Sequence, residues 1–313
     1  MARDHLHVRT EALLDVIAWL EPRLGRAGAA SLRVLDPDVG RGRYAGEPIE
    51  IDGTRYVHRP LRVWLDLAER LGARLCTPRA ADPPWIELRF ERLDPDARWA
   101  PPAGAPITER YGAESGFSRI AKAEDPGFVL DLREALGRVA LAPGARVLDL
   151  GVNTGDEVAL ITALQPELDL RIVGVDHSAS ALAIARARLP AGVELVEADL
   201  AALPLAGLGR FDLIVSIGVL QSGALDDREL LRRMVQHHLA PRGAVVLGLP
   251  NCRYVDGEVE YGARMLNFRQ PELGLLVKDV AFYRKYLQQH QRDVFVTGKH
   301  ELFVTAVPRR SPP

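Results

Sequence analysis

The chain has 313 residues, enough for two domains of about 100–200 residues each, and combines 47% hydrophobic with 26% charged residues at a formal net charge of −2. That balance excludes a disordered chain and gives no global basic field of the kind that announces nucleic acid, while no apolar run reaches the ~18–20 residues of a bilayer span. Cys76 and Cys252 stand far apart in no metal-ligand spacing, and Met1–His5 leads into no signal-peptide core. A reduced, cytoplasmic protein without metal or membrane contact is expected.

In chain order, Leu13, Ile17, Leu20 and Leu24 follow helical spacing, with Pro22 expected to end that helix early. Gly46 to His58 reads as a hairpin with Asp52-Gly53 at its tip. A second apolar stripe, Leu61, Trp64, Leu65, Ala68 and Leu71, starts at Pro60 and stops at Gly72. Trp85 to Leu93 alternates like a strand. Residues 1–105 hold 16 arginines and 16 acids and no catalytic constellation. They are expected to form a small α+β domain with a part in substrate recognition, and a proline-rich linker over 93–106 is expected to divide it from a second domain at 106–313.

After the linker short strands alternate with helices, the mark of a parallel sheet with crossover helices. Asp125-Pro126 starts a helix with Val129, Leu132, Leu136 and Ala140 on its apolar face. Strands are predicted at 146–150, 171–175, 193–198, 211–217 and 244–249. Helices are predicted at 154–164, 178–189 and 227–239, the last opened by the capping pattern Asp226-x-x-Glu229. A helix over about 280–290 then leads into strands at 293–297 and 301–307, joined by Gly298-Lys299-His300. So short a turn forces an antiparallel pair, because a parallel pair needs a long crossover.

The run Val147-Leu148-Asp149-Leu150-Gly151-Val152-Asn153-Thr154-Gly155 is an apolar strand entering a glycine-containing turn and a helix, a place where backbone can closely approach a ligand. It resembles the first motif of the class I S-adenosylmethionine-dependent methyltransferases, acidic-x-Gly-x-Gly-x-Gly. Asp149, Gly151 and Gly155 match, and Asn153 replaces the middle glycine, a position asparagine tolerates when φ is positive. Further matches follow in order: Ile172–Asp176, Val196–Leu200, Phe211–Ile217 and Leu239–Leu247.

The resemblance covers residues 110–310 and implies a doubly wound α/β fold, a mostly parallel seven-stranded sheet ending in an antiparallel hairpin, with S-adenosyl-L-methionine as cofactor. It implies a ribose contact for Asp176, which otherwise caps the next helix unless Ser178 does so, and an adenine contact for Asp199 with Leu200 as apolar neighbour; Ile217 closes the fourth strand at the same edge. Upstream, Arg110 and Arg119 are candidates for the cofactor's carboxylate and Tyr111 for shielding it.

A nicotinamide-dependent dehydrogenase would need a Gly-x-Gly-x-x-Gly turn that this sequence lacks. An aminopropyltransferase would need a pair of substrate-gripping acids after the fourth strand, where Gly218-Val219-Leu220-Gln221 stands. A non-catalytic cofactor-binding scaffold of the same fold stays open. The Asp-Pro-Pro-Tyr type of signature is absent after the fourth strand and neither cysteine lies in a Pro-Cys dipeptide, so no catalytic side chain is assigned. The long connection 251–278 places Asn251, Tyr261, Arg264, Phe268 and Arg269 as candidate substrate contacts, and residues 261–310 hold nine Lys/Arg against four acids. Aromatics interleaved with arginines suit stacked bases and phosphates, so RNA is one expected acceptor. A small metabolite or a protein is the alternative.

Overall fold

The computed structural model describes residues 6–98, 104, 106–110, 112–115, 119–262 and 276–309. The chain divides into two compact units, the first comprising residues 1–98 with 254–260, the second 99–253 with 261–313.

The first unit contains β1 (Leu6–Val8), α1 (Leu13–Ala27), β2 (Ala29–Leu35), β3 (Pro48–Ile51), β4 (Thr54–Val57), α2 (Leu61–Arg70), β5 (Ala73–Leu75), β6 (Arg79–Ala80) and β7 (Trp85–Arg92). Its main sheet has the order β1-β2-β7-β5, with β6 also on β7. Leu32 faces Leu88 and Ala30 faces Phe90 across β2 and β7, so one face of the sheet presents a continuous apolar surface. Val16, Leu20 and Leu24 of α1 and Trp64, Leu67 and Ala68 of α2 cover it. Contrary to expectation, Pro22 does not end α1, which runs on to Ala27 and closes with Gly28 in the left-handed region. Burial of Leu20 and Leu24 on either side offsets the hydrogen bond that the proline cannot donate. The buried stripes are also rotated from those predicted: Leu13, Leu61 and Leu65 are exposed. The β3–β4 tip is Asp52-Gly53, both at positive φ, as a two-residue hairpin turn requires.

In the second unit, α3 (Pro126–Val139) is capped by Asp125, whose side chain accepts from the amides of Gly127 and Phe128. Then come β8 (Arg146–Leu150), α4 (Asp156–Leu164), β9 (Arg171–Asp176), α5 (Ala179–Arg188), β10 (Glu194–Glu197), β11 (Phe211–Ile217), α6 (Asp227–Arg233) and β12 (Leu239–Pro250); β13 (Cys252–Val255) and β14 (Glu258–Tyr261), which pair with each other, span the 254–260 segment that groups with the first unit, and α7 (Leu276–Gln289), β15 (Arg292–Gly298) and β16 (Glu301–Pro308) complete the second. The helix predicted over 227–239 is regular only to Arg233 and widens into a π turn at Met234–His238 before β12.

The sheet order is β10-β9-β8-β11-β12-β16-β15, parallel through β12 and antiparallel for β16 and β15. Both faces are apolar: Leu148 and Leu150 join one core, and Val147 joins the other. That is the pattern of a sheet covered on both sides. The doubly wound fold and the closing hairpin are thus as expected. The division falls after Arg98, and 254–260 group with the first unit. Within that unit the Arg74 guanidinium pairs with Glu258 at 2.8 Å and lies 3.6 Å from Asp256, and the Asp256 amide donates to Ala97 O.

Candidate active site

The strand order reverses between β8 and β11, and open parallel sheets bind ligands at the carboxyl ends of strands where this happens. The turn after β8 carries three positive φ values: 85° at Gly151, 46° at Asn153 and 86° at Gly155. Asparagine therefore occupies the left-handed position of the missing glycine. Glycine at the other two positions answers to packing as well as to backbone conformation. A Cβ on Gly151 would clash with Val219 Cγ2, and one on Gly155 would lie 2.7 Å from Leu189 Cδ1.

Asp176, at the end of β9, is buried and ties two turns together. One carboxylate oxygen accepts from the Asn153 amide at 2.9 Å and the other from the Ser178 amide at 2.9 Å. Ser178 itself caps α5 by accepting from Ala181 N at 3.1 Å. Each Asp176 oxygen keeps a lone pair for a ligand hydroxyl. Asp199 is exposed and caps the short turn that follows, while the neighbouring Leu200 and Ile217 are buried.

Arg110 and Arg119 are exposed, and Tyr111 lies outside the described residues. Glu109 instead accepts from the hydroxyls of Ser178 (3.1 Å) and Ser180, beside the start of α5. The Ser180 hydroxyl chiefly, with burial opposing and Ser178 assisting, holds the Glu109 carboxyl below its ordinary range.

Sequence reasoning missed a charged group under the same edge. Lys122 Nζ lies 3.5 Å from Glu301 and 3.7 Å from Glu157, and 5.2 Å from the Phe128 ring centroid. Asp149, only 2% exposed, belongs to the same electrostatic group, and its Oδ2 has no hydrogen-bond partner; the same holds for Glu301 Oε1 and for both amide atoms of Gln221. Burial raises the proton affinity of Asp149 well above normal, reinforced by Glu157 and Asp176. Burial also raises Glu157 against the pull of Lys122, and pushes Glu301 up to about 7. Burial lowers Lys122, but Glu301 and Glu157 outweigh it, so the ammonium is held above its ordinary range. One signal was available in the sequence: lysine occurs only at 122, 278, 285 and 299.

Of the substrate candidates, Asn251 and Tyr261 meet beside the β15–β16 turn. The Gly262 amide donates to Asn251 O, the Asn251 amide donates to His300 O, and Lys299 lies 5.1 Å from the Tyr261 ring centroid. Arg264, Phe268 and Arg269 lie outside the described residues. Among the described residues no group of three metal-type side chains occurs, and no helix is long and apolar enough to cross a membrane.

The sequence model described as "Methyltransferase domain" matches residues 147–243, which run from β8 to the start of β12. Over these residues the chain is similar to the class I S-adenosylmethionine-dependent methyltransferases. The cofactor of that superfamily is S-adenosyl-L-methionine. Relatives of this methyltransferase unit include a trans-aconitate 2-methyltransferase of Azoarcus sp. (strain BH72), 39% identical over 118 residues, or 38% of this chain and 44% of that protein. Another, of Methylobacterium nodulans, is 36% identical over 141 residues, covering 42% and 52%. The chain thus spans about half the length of the curated relatives it matches. Among solved structures, a chain from the complex between the Haloferax volcanii Trm112 methyltransferase activator and a methyltransferase aligns with TM-score 0.47 at 16% identity, over 66% of this chain and 100% of that one. A methyltransferase from Aquifex aeolicus aligns with TM-score 0.44 at 15% identity, over 61% and 98%.

Proposed function

We propose that this protein is an S-adenosylmethionine-dependent methyltransferase whose acceptor is a small molecule. The observation that carries the cofactor reading is Asp176, a buried carboxylate fixed by two backbone amides beside the left-handed turn at the sheet's switch point. The residues present fit the cofactor: orphaned polar atoms at Asp149 and Gln221 lie at the carboxyl ends of β8 and β11. In this reading the Gly151–Gly155 turn and Asp149 hold the amino-acid end, Asp176 accepts from the ribose hydroxyls, and Asp199 with Leu200 and Ile217 frames the adenine. Bound S-adenosylmethionine supplies an electrophilic methyl group on sulfur. The protein's part is to align the acceptor with that group and exclude water. Residues upstream of α3 assist, with Glu109 anchoring them at the α5 serines.

The small-molecule acceptor is favoured because the matched relatives carry the name trans-aconitate 2-methyltransferase. The basic stretch that suggested RNA is also less available than its count implies: Arg292 is buried against main-chain carbonyls and Arg309 lies 3.5 Å from Asp293. Asn251 and Tyr261 remain the proposed acceptor contacts, and the first unit the proposed contributor to acceptor choice.

Calorimetry with S-adenosylmethionine and its demethylated product tests the cofactor assignment. Asp176→Ala should weaken binding by about 1–3 kcal/mol, the worth of hydrogen bonds to a charged group. No binding by the wild type, or full affinity in the folded variant, overturns it. Radiolabelled cofactor with fractionated extract then tests the acceptor: label in the small-molecule fraction is expected, and label confined to RNA or protein overturns that part.

A further inference from the structure

The Lys122 group holds three carboxylates against one ammonium in a buried setting. Like charges so placed cannot all stay ionised unless another cation joins them. Its position adjoins the crevice. Asp149 lies two residues before Gly151 on β8, and Lys122 Nζ is 3.9 Å from where a Gly218 Cβ would stand at the end of β11. Glu301 opposes Pro250 in the ladder at the end of β12, and its unpartnered Oε1 lies 2.9 Å from the Cβ position of Gly248. Asp149 and Glu301 are both more than nine-tenths buried.

Resting on the cofactor reading above, we propose that this group discriminates between the charged and neutral forms of the cofactor: its surplus negative charge favours the sulfonium substrate, and a proton taken up from solvent replaces that charge when the thioether product occupies the site. Methyl transfer turns a cationic sulfur into a neutral one, so the site is one charge more negative with the product than with the substrate. The proton restores the balance and leaves again when fresh substrate binds. Glu301 is the suitable carrier, because Lys122 approaches only its Oε2 while its buried Oε1 has no partner, and burial pushes its carboxyl up to about 7. The charged and titratable groups facing this set are Asp125 at the start of α3, Asp156 and Glu157 on α4, Asp176 on β9 and Cys252 after β12. Lys122 keeps its proton throughout, because the surrounding carboxylates outweigh its burial.

The test is calorimetry of the full chain with S-adenosylmethionine and with S-adenosylhomocysteine, in buffers of different ionisation enthalpy, from pH 6 to 8. The product should bind with uptake of more protons than the substrate. The substrate-to-product affinity ratio should rise with pH, by up to about tenfold per unit for one proton. Glu301→Gln should flatten that rise while both ligands still bind. Lys122→Met, which removes the opposing cation, should move the rise to higher pH. Equal proton counts for the two ligands, or an undiminished slope in Glu301→Gln, overturns the proposal while leaving the cofactor reading intact. Failure of the wild type to bind either ligand overturns both. If Glu301→Gln does not fold, the wild-type proton counts and Lys122→Met decide the matter.

Discussion

The two edges of the parallel sheet treat buried charge in opposite ways. At the amino edge, the Arg292 guanidinium donates to the carbonyls of Gly243, His290, Ala240 and Pro241, so each of its nitrogens has an acceptor. Nearby, Arg146 donates to Arg210 O and Leu208 O, and Arg210 donates to Leu239 O and Gln236 O. Cations there close off the carbonyls of incoming loops. At the carboxyl edge, Asp149, Glu301 and Gln221 keep buried polar atoms without partners, and carboxylates outnumber the ammonium among them. A buried polar group without a partner costs free energy. The amino edge thus uses its cations to satisfy loop carbonyls, whereas the carboxyl edge keeps acidic oxygens open.

The largest test of that contrast is Arg292→Met. It leaves several loop carbonyls unsatisfied and should lower unfolding free energy by about 3–4 kcal/mol, read from urea denaturation, with cofactor affinity of the folded fraction unchanged. An unchanged midpoint would break the comparison at its amino end. At the other edge, Glu301 gives the ligand-free protein a pH dependence. A carboxyl whose proton affinity rises on folding, here from 4.5 to about 7, adds stability in full below pH 4.5 and loses it as pH climbs through 7. Stability should therefore fall between pH 5 and 8 by about 2–3 kcal/mol, and Glu301→Gln should remove most of that slope. A flat wild-type profile would mean that the group is better satisfied than its unpartnered oxygen implies. The smallest effect should come from Arg146→Ala, about 1 kcal/mol, since its guanidinium is only part-buried. A loss as large as that of Arg292 would show that exposure does not grade these clamps.

The local elements and their order were legible in the sequence, because these depend on residues near one another in the chain. Asp125-Pro126 started α3, Asp52-Gly53 turned the β3–β4 hairpin, and the short turn before Glu301 made the last two strands antiparallel. The pattern around Asp149, Gly151, Asn153 and Gly155 also marked the turn whose backbone proved left-handed. The rest depends on contacts between residues far apart in the chain. Pro22 stays inside α1 because the packing of Leu20 and Leu24 outweighs a local penalty that sequence rules count alone. Residues 254–260 group with the first unit through Arg74, which no periodicity announces. Lys122, Glu157 and Glu301 come from a turn, a helix and a strand distant in sequence, and they meet because strand order places β16 beside β12. Helical and strand periods report which face a residue occupies, whereas the meeting of charges at one sheet edge is set by chain closure over long distances.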